Sequence, residues 1–365
     1  MAWSDIRLRE AFPLLQGAVD LPFGGLPIAW CGDPGQLPPV GGLSPWCPRT
    51  TDNKQITGLA LKGYYLWKAI KNVIMLKQIR RQTGWFGEML LRLRDGKCTK
   101  EDWTTLNLKC AQQNLSQERI NEFISPNSIW LFNTNADNHK HNAKMIQQLH
   151  KPILRINAHH DVAKSKEKTT QFCRNMPPFV FIASGAKVML WWNLNSKVGL
   201  VNGSTGVVKD WLYAEGEKAP SLPESIIIEF TDYTGPPFFS GAGREKWVPL
   251  TPETYKWPGY ELNAEDHYRK QYPISLAWGL TVWKSQGMTI NTILSYNLGD
   301  KEPEAGLTYV ALSRMTDVNN LYIDKGCSLE RLTTTIAKNK KMAVRLCEDV
   351  RLENLHAATC IKFDI

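Results

Sequence analysis

The chain has 365 residues, of which 43% are hydrophobic and 22% charged, and its formal net charge is +9. This length and composition predict two or three globular domains, each with its own core. The first residues carry charges where a signal peptide needs an apolar core, and no apolar run reaches membrane-spanning length. We therefore expect a soluble intracellular protein without a membrane partner, located in the nucleus if its source is a eukaryote.

The cysteine and histidine spacing gives no metal site. Eight cysteines are scattered singly and none form a Cys-x-x-Cys pair, which excludes a disulfide framework and a thiolate zinc site. Two histidine pairs, His139/His141 and His159/His160, have no thiolate neighbours. We therefore predict no metal ligands and expect a reducing compartment.

The positive charge is concentrated in one third of the chain. Residues 66–177 hold 19 Lys and Arg against 9 Asp and Glu, a net charge of +10. A solvated basic face would explain this excess, and so would a track for a polyanion. We favour the polyanion.

The first predicted elements end in a polar cluster. Asp5–Phe12 has the pattern of an amphipathic helix, and Leu26–Cys31 is an apolar run typical of a buried parallel strand. The cluster Gly32–Val40 follows at the carboxyl end of that strand, where ligand loops form. There Asp33 is suited to holding a metal or orienting water, and the Gln36 amide to contacting a phosphate oxygen. Taken alone, the cluster is also compatible with an ordinary turn.

A basic segment and two helices come next. Tyr64–Met75 predicts a helix and a strand, and Leu76–Gln82 contains a pair of arginines. A guanidinium always carries charge and binds phosphate with two parallel hydrogen bonds, although a surface salt bridge is the ordinary alternative. Phe86–Gly96 predicts a helix, and the next helix is capped by Thr99 with Asp102 three residues on.

Ser128–Asn142 predicts a strand that runs into the polar residues Asn133 and Thr134. Amides and hydroxyls bind phosphate without reading a base sequence. The polar stretch 157–176 is predicted to be a surface loop.

From Pro178 onward, short strand-like runs are separated by turn residues, which predicts an all-β insert. The runs are Phe179–Ile182, Ala186–Trp191, Gly206–Trp211, Ser225–Phe230 and Trp247–Leu250. Asn202-Gly203 is a strong hairpin-turn signal. Most of the aromatic residues are expected in the insert core, with one or two stacking on bases. The candidates are Trp191, Trp192, Phe238, Phe239, Trp247 and Trp257.

The stretch Tyr272–Asn291 organises the rest of the chain. Its apolar run Ile274–Leu280 predicts a buried parallel strand that ends in a polar loop. In that loop Lys284 supplies a point charge for phosphate, and Gly287 allows backbone N–H groups to approach a ligand closely. Thr281 and Ser285 supply hydroxyls. Leu321–Ile323 then predicts a closing strand, and 328–365 a helical tail.

Four segments of the chain together resemble a known family. Gly32-Asp33-x-x-Gln36-Leu37-Pro38-Pro39-Val40 is similar to motif III of the PIF-type (petite integration frequency) DNA helicases, which are RecD-related members of superfamily one. Leu76–Gln82 resembles motif IV, with Arg81 as the matching arginine and adjacent Arg80 as the alternative. Thr281-x-x-Lys284-Ser285-Gln286-Gly287-x-Thr289 resembles motif V, and Leu307–Arg314 resembles motif VI.

Some positions extend the resemblance and others depart from it. Residues 185–190 and 199–206 are similar to the segment that leads into the family's SH3-like subdomain. Trp283 stands where the family usually has histidine, and Asn291 replaces a frequent aspartate. The printed sequence contains no G-x-x-x-x-G-K-[ST] loop, and no Asp-Glu pair follows an apolar strand upstream of Gly32. We therefore expect a fragment without the Walker A and B motifs.

The resemblance implies an α/β fold, with a RecA-like parallel-sheet helicase core and a small all-β SH3-like insert. The first RecA-like domain is expected to be truncated and the second complete. The implied division is 1–71 for the first-domain remnant, 72–177 and 273–365 for the two parts of the second domain with its tail, and 178–272 for the insert.

The resemblance also implies the site residues and ligands. The intact family uses ATP and Mg²⁺, acts on single-stranded DNA, and is expected to be monomeric. Catalysis is carried by Gln36, Arg81 and the arginine finger Arg314. The nucleotide contacts are Gly32, Asp33, Gln286 and Gly287. The DNA contacts are Asn133, Thr134, Asn202, Thr281, Lys284 and Ser285.

Two functions remain open at this point. The chain is either part of an ATP-dependent 5′-to-3′ DNA helicase for repair, recombination or genome maintenance, or a non-catalytic nucleic-acid-binding protein or mobile-element remnant. Without the phosphate loop and acidic pair, we expect no ATP turnover by this chain alone.

Overall fold

The computed structural model describes residues 1–12, 21–39, 42–47, 55–125, 128–258 and 266–364. The chain divides into two compact units, of which unit 1 is Met1–Ile120 with Ser285–Ile365 and unit 2 is Asn121–Lys284. Val40 and most of the predicted loop 41–53 lie outside the described residues. The four-part domain division stays a prediction.

The α-helices range from single turns to the long helix at the carboxyl end. In chain order they are α1 (Ala2–Ala11), α2 (Gly58–Lys68), α3 (Gly84–Arg94), α4 (Lys100–Cys110), α5 (Gln117–Phe123), α6 (Asn135–Gln147), α7 (Ala163–Lys166), α8 (Val282–Ser285), α9 (Leu307–Leu312), α10 (Leu329–Leu332), α11 (Thr334–Ala337) and α12 (Lys340–Phe363). None of the helices in the described ranges has the length and apolar character to cross a membrane.

The strands are mostly short. They are β1 (Ile129–Phe132), β2 (Leu154–Asn157), β3 (His159–His160), β4 (Phe179–Ile182), β5 (Lys187–Leu190), β6 (Thr205–Leu212), β7 (Ser225–Phe230), β8 (Trp247–Leu250), β9 (Glu253–Trp257), β10 (His267–Gln271), β11 (Ile274–Leu276), β12 (Gly279–Thr281), β13 (Leu294–Asn297) and β14 (Leu321–Ile323).

In unit 1, helix α1 buries a carboxylate. Asp5 is fully buried and accepts hydrogen bonds from Phe23 N at 2.6 Å and Arg9 Nε at 3.0 Å, while Lys62 Nζ lies 2.7 Å away. Phe12 is exposed. The predicted helix is therefore confirmed, but an ion-pair network, and not an apolar stripe, fixes its buried side.

Two predicted strands of unit 1 are wrong. Leu26–Cys31 forms no strand and its side chains are largely exposed, and residues 70–79 are also without regular structure, with Leu76 94% exposed. No described strand pairs with either segment. Because a strand is stable only when its backbone groups find ladder partners, an apolar run alone does not form one.

Other predictions for unit 1 are confirmed. Thr99 Oγ1 accepts from Asp102 N at 3.1 Å, and Thr99 N donates to Asp102 Oδ2 at 3.0 Å, which is the expected capping box at the start of α4. The closing strand β14 pairs in parallel with β13, with Leu294 opposite Leu321. Helices α10, α11 and α12 form the helical tail.

In unit 2, β1 and β12 form a parallel pair, with Trp130 opposite Gly279. Asn142 of α6 accepts from Gly279 N at 2.9 Å and donates to Gly279 O at 2.9 Å. The Asn142 amide therefore fixes helix α6 to the strand that leads toward Lys284.

The apolar run Ile274–Leu280, predicted to be one parallel strand, contains two. Strand β11 pairs antiparallel with β5, whereas β12 pairs parallel with β1. The change occurs where Ala277 N donates to Lys187 O and Trp278 O accepts from Trp130 N, each at 2.9 Å. Apart from Ser275 the run consists of apolar residues and glycine, so its composition does not reveal the change of neighbour.

The all-β insert is confirmed. The order β11-β5-β6-β7-β8 describes a five-stranded antiparallel sheet. Strands β7 and β8 have the predicted bounds, and Asn202-Gly203 forms a turn. The inner face of the sheet contributes to the main core of unit 2, which includes Ile226, Ile228, Phe230 and Val248.

The stretch 157–176 is more ordered than the predicted surface loop. It contains β3, which pairs with β10, and helix α7. Arg269 of β10 is fully buried and donates to Met176 O at 2.9 Å and Lys168 O at 2.8 Å. A guanidinium with five donors can satisfy several carbonyls of an irregular segment, and a polar sequence does not show this.

Candidate functional site

The loop of predicted motif III in unit 1 is held by a turn and an ion pair. Gln36 N donates to Asp33 O at 3.0 Å, and Gly35 N donates to Asp33 Oδ1 at 2.8 Å. Arg94 NH2 donates to the same Oδ1 at 2.9 Å, and Arg94 NH1 contacts Asp349 Oδ2 at 3.1 Å. Burial alone would lower the pKa of Arg94, but the charges of Asp33 and Asp349 outweigh it and raise that pKa above the ordinary value. The Asp33 carboxylate thus serves the structure of its loop.

The same loop packs on the segment that begins α9. Gly306 has φ +86°, and a Cβ at this position would lie 2.4 Å from Gly35 O. Tyr309 OH donates to Asp33 Oδ2 at 3.4 Å. Burial and, to a smaller extent, the charge of Asp33 raise the pKa of Tyr309 to about 12. Residues of predicted motifs III and VI therefore meet directly.

Two predicted site glutamines are also brought together. Gln286 Nε2 donates to Gln36 Oε1 at 3.3 Å, although the two residues are 250 positions apart. Gly287 follows with φ +88° and is exposed. An amide pair of this kind has a free acceptor and further N–H donors for a polar ligand.

The two predicted catalytic arginines meet at Ser313. Arg81 NH1 donates to Ser313 O at 2.7 Å, and Arg314 NH2 donates to Ser313 Oγ at 2.7 Å. Gln82 Nε2 also donates to Ser313 O, at 2.9 Å. Arg80 is exposed. The contact with Ser313 therefore favours Arg81 over Arg80 as the arginine of motif IV.

This arginine pair carries positive charge without a carboxylate. Burial, and next the charge of Arg81, lowers the pKa of Arg314 to about 10. Neither arginine makes an ion pair within the described part of the chain. Arg314 is 3% exposed, and its Nε donates to Val310 O at 2.9 Å. Phosphate oxygens would neutralise the pair, but the Arg314 Nε would first have to release Val310 O of α9.

The described residues therefore fit the phosphates of ATP but not Mg²⁺. Two guanidiniums without an ion pair among the described residues and a glutamine pair suit the terminal phosphates of a nucleotide by charge and by hydrogen bonding. The described residues contain no group of three or more His, Cys, Asp or Glu that is arranged to hold a metal ion. Asp33, the acid nearest to Gln36 in sequence, is paired with Arg94. The residues that the structure describes thus fit phosphate and do not fit magnesium.

In unit 2, Lys284 lies against an aromatic ring. Its Nζ is 3.5 Å from the centroid of the Trp191 ring. Lys284 is an exposed residue, yet the loss of water around its ammonium lowers its pKa to about 8. The ring also holds the ammonium at a defined place beside the chain.

The other predicted DNA contacts differ in accessibility. Thr134 is exposed and caps α6 by accepting from Asp137 N at 3.1 Å, and Asn133 is half-buried beside it. Asn202 is exposed in its hairpin turn. Thr281 and Ser285, by contrast, are buried. Accessible polar groups are therefore supplied by Thr134, Asn202 and Lys284, and the DNA contacts stay predictions.

Three structural partners were missed from the sequence. Arg94 pairs with Asp33, Tyr309 contacts the same carboxylate, and Trp191 positions Lys284. Each lies far from its partner in sequence, and no local pattern marks such pairs. Trp191 is one of the predicted base-stacking residues, but in the structure its ring lies against the ammonium of Lys284.

The comparisons with known proteins agree with the motifs. The model of the PIF1-like helicase family matches residues 5–104, and the model of the 2B domain of DNA helicase Pif1 matches residues 182–210. The ATP-dependent DNA helicase PIF1 of Danio rerio is 29% identical over 311 residues, which are 83% of this chain and 41% of that protein. The Uncharacterized protein 030L of Invertebrate iridescent virus 6 is 26% identical, over 88% of this chain and 69% of that protein.

Solved structures give the same fold. Pif1 helicase from Candida albicans has a TM-score of 0.63 and 22% identity, covering 95% of this chain and 74% of that one. Pif1 helicase from Bacteroides in complex with ADP-AlF3 and ssDNA has a TM-score of 0.65 and 20% identity, covering 97% and 72%. The fold is therefore mixed α/β and RecA-like, and the resemblance to the PIF-type helicases is confirmed. The chain spans less than half the length of the vertebrate relatives it matches.

Proposed function

This chain is related to the PIF-type DNA helicases of superfamily one, and from that premise we propose that it forms part of an ATP-dependent DNA helicase moving 5′ to 3′ on single strands. One observation carries the proposal. Residues of motifs III, IV, V and VI, separated by up to about 280 positions, meet within unit 1 through Gln36–Gln286, Asp33–Tyr309 and Arg81–Ser313. An assembly of this kind is expected where nucleotide phosphates must be sensed by several segments at once.

The roles follow from the chemistry of each group. When bound, ATP would supply the phosphoryl-transfer energy. Arg81 and Arg314 would neutralise charge at its terminal phosphates, because both are cations without a carboxylate partner in the described residues. The glutamine pair would change its hydrogen bonding when a phosphate or water arrives. Lys284, Thr134 and Asn202 would contact DNA phosphates without reading the base sequence.

We further propose that the protein is intracellular, nuclear in a eukaryote, and monomeric. Genome maintenance, including repair and recombination, is the proposed setting. These assignments are supported by the relationship to named helicases and by the concentration of positive charge in residues 66–177.

The first test is ATP hydrolysis by the purified chain, with and without single-stranded DNA. We expect no DNA-stimulated turnover, because the printed sequence has neither a phosphate loop nor an acidic pair for magnesium. Turnover that Arg314→Ala abolishes would contradict this expectation and would reveal a different phosphate site.

The second test restores the missing groups. A fusion would place the phosphate-loop and acidic-pair segment of a related helicase ahead of Met1. An arginine finger contributes about 10³–10⁵ in rate, so the fusion and its Arg314→Ala variant should differ by orders of magnitude. Trp283→His, at the departure within motif V, should change unwinding more than ATP turnover if this segment couples them.

A non-catalytic nucleic-acid-binding protein is the second candidate, and the charge distribution favours it equally. A fusion that folds and binds ATP but hydrolyses it no faster than its Arg314→Ala variant would select this candidate. In both cases single-stranded DNA should bind weakly, without sequence preference, and with a steep loss of affinity as salt rises. An affinity that stays flat between low and physiological salt would argue against a phosphate track.

A further inference from the structure

The two-stranded ribbon β2–β4 in unit 2 has an unusual outer face. Along both strands alternate side chains point into the core, where Ile156, Val180 and Ile182 are buried. The other side chains of the ribbon are exposed, and two of them are phenylalanines. Phe179 is 39% exposed and Phe181 is 43% exposed. Polar residues are the rule on the solvated face of an antiparallel ribbon, so paired aromatic residues there require an explanation.

The strand register places polar groups beside these rings. Arg155 lies opposite Phe181, and Asn157 lies opposite Phe179. The Arg155 guanidinium carbon is 4.6 Å from the centroid of the Phe179 ring. The two phenylalanine rings are 5.4 Å apart with an interplanar angle of 67°. Four side chains therefore form one compact surface, which we call the ribbon face.

The charge of the ribbon face is uncompensated. No described carboxylate pairs with Arg155, whose guanidinium lies over the Phe179 ring. Arg155 also lies in the segment 66–177, which holds a net charge of +10. Because the guanidinium of Arg155 covers one face of the Phe179 ring, it offers its own outer plane to a base beside the exposed Phe181 ring, and its N–H donors to the adjoining phosphate.

We propose that the ribbon face is a base-stacking platform for single-stranded DNA, formed by Phe179, Phe181, Arg155 and Asn157. The proposal rests on the proposed function and adds a contact that none of the helicase motifs supplies. The motif residues bind phosphates, whereas the platform binds bases. Stacking is tolerant of sequence because every base has a π face, as a translocating protein requires.

The size of the ribbon face favours a nucleotide over a protein partner. A stable protein interface buries roughly 800 Å² on each partner and involves about 20–30 residues a side. Four side chains on a short ribbon fall well below that requirement. They match the dimensions of one or two nucleotides, whose bases bind aromatic side chains by stacking.

The test compares two labelled oligonucleotides of equal length, one with bases and one abasic, by fluorescence anisotropy with the full chain. The double variant Phe179→Leu/Phe181→Leu should lose about tenfold or more in affinity for the base-bearing strand. Its affinity for the abasic strand should stay within about twofold, because the phosphates are unchanged. Phe172→Leu is the matched control, since Phe172 is 44% exposed in the same unit, its ring lies beside Trp257 and Lys168, and it is not one of the four side chains of the ribbon face.

Two further variants keep the outcome decisive. Arg155→Gln should weaken binding of both the base-bearing and the abasic oligonucleotide, and should reduce the salt dependence of binding by about one counterion. This variant provides a readout if the double variant fails to fold. Lys284→Gln reports the phosphate contacts of the proposed function. If Lys284→Gln loses DNA affinity while the double variant binds the base-bearing strand with wild-type affinity, the platform is overturned and the proposed function is retained.

The reverse pattern, a loss with the double variant and none with Lys284→Gln, supports the platform and argues against the motif V contact. Light scattering over a range of protein concentrations completes the test. A wild-type dimer that the double variant dissociates would show that the ribbon face joins two copies of the chain, and would overturn the proposal. Absence of any DNA binding by the wild-type chain would overturn both the platform and the proposed function.

Discussion

The ammonium of Lys284 lies 3.5 Å from the centroid of the Trp191 ring. The lysine comes from the one-turn helix α8, and the tryptophan directly follows β5, 93 positions earlier. This contact places a cation at a fixed point, and at the same time removes part of its water. The result is a lysine whose charge responds to pH in the range where enzymes work.

DNA affinity should therefore fall between about pH 7 and pH 9. Lys284 has a pKa of about 8, lowered by loss of water, so it loses its proton and its charge as pH rises through that value. Anisotropy measurements with a labelled single strand should show weaker binding and a salt dependence smaller by about one counterion at about pH 9. Lys284→Arg should stay charged and remove this pH dependence. Identical pH profiles for the two proteins would show that Lys284 does not contact DNA.

Replacing Gly306 should destabilise unit 1 by more than its backbone angle alone explains. Gly306→Ala places a Cβ at φ +86° and 2.4 Å from Gly35 O. The backbone strain costs about 1–2 kcal/mol, and the clash about 1–3 kcal/mol more. Gly203→Ala is the matched control, because Gly203 has φ +96° and no atom lies within 4 Å of its added Cβ. Urea unfolding of both variants separates the two costs, and equal losses would refute the close packing of these loops.

The buried pair Glu302–Arg331 should be indispensable for the start of α9. Arg331 NH2 lies 2.7 Å from Glu302 Oε2, and Thr308 N donates to Glu302 Oε1 at 3.0 Å. Glu302→Gln leaves a buried guanidinium without its counter-charge, so we expect a loss of about 3–5 kcal/mol in the free energy of unfolding.

Lys341→Gln is the control for this pair. Lys341 is half exposed and contacts Glu304, so its removal should cost less than about 1 kcal/mol. Chemical denaturation at neutral pH measures both changes. Comparable losses for the two variants would mean that burial of the Glu302 pair has no energetic consequence.

Stability should also fall in acid because of Asp5. Burial alone would raise the pKa of this carboxyl, but hydrogen bonds from Lys62, Phe23 N and Arg9 outweigh it and hold the pKa below 3.8. Since the folded-state pKa is the lower one, the stabilisation is complete above about pH 4 and disappears as pH falls through the folded value. Asp5→Asn should lose about 1–3 kcal/mol at about pH 7 and much less once the pH has fallen below the folded-state pKa of Asp5. A loss independent of pH would point to packing instead of charge.

The elements that the sequence predicted well are those fixed by local patterns. Alternating apolar residues and turn signals located the strands of the insert, and the Thr99–Asp102 spacing located a helix start with its hydrogen bonds. Local signals succeed here because the information lies within a few residues. The motif residues Gln36 and Gln286 also meet, as expected if both serve one nucleotide.

The failures concern partners that are distant in sequence. Leu26–Cys31 has the composition of a buried strand but no described strand beside it, so its apolar side chains stay exposed. Ile274–Leu280 has enough apolar residues for one strand and divides between two sheets. In both cases the structure of the segment depends on which strands lie beside it, and the residues of the segment do not determine this. The exposure of Phe179 and Phe181 likewise depends on which side of β2–β4 meets the core.

The pairing of Arg94 with both Asp33 and Asp349 determines the order in which the two units can fold during synthesis. Asp33 emerges from the ribosome before any residue of unit 2, whereas Asp349 belongs to helix α12 and emerges more than 300 residues later. All of unit 2 is translated in between. Unit 2 is continuous and is free to fold first, while the two ends of unit 1 must wait for each other. The glutamine-bearing loop beside Asp33 is thus completed last, and a nascent chain stalled before α12 would present it without this anchor.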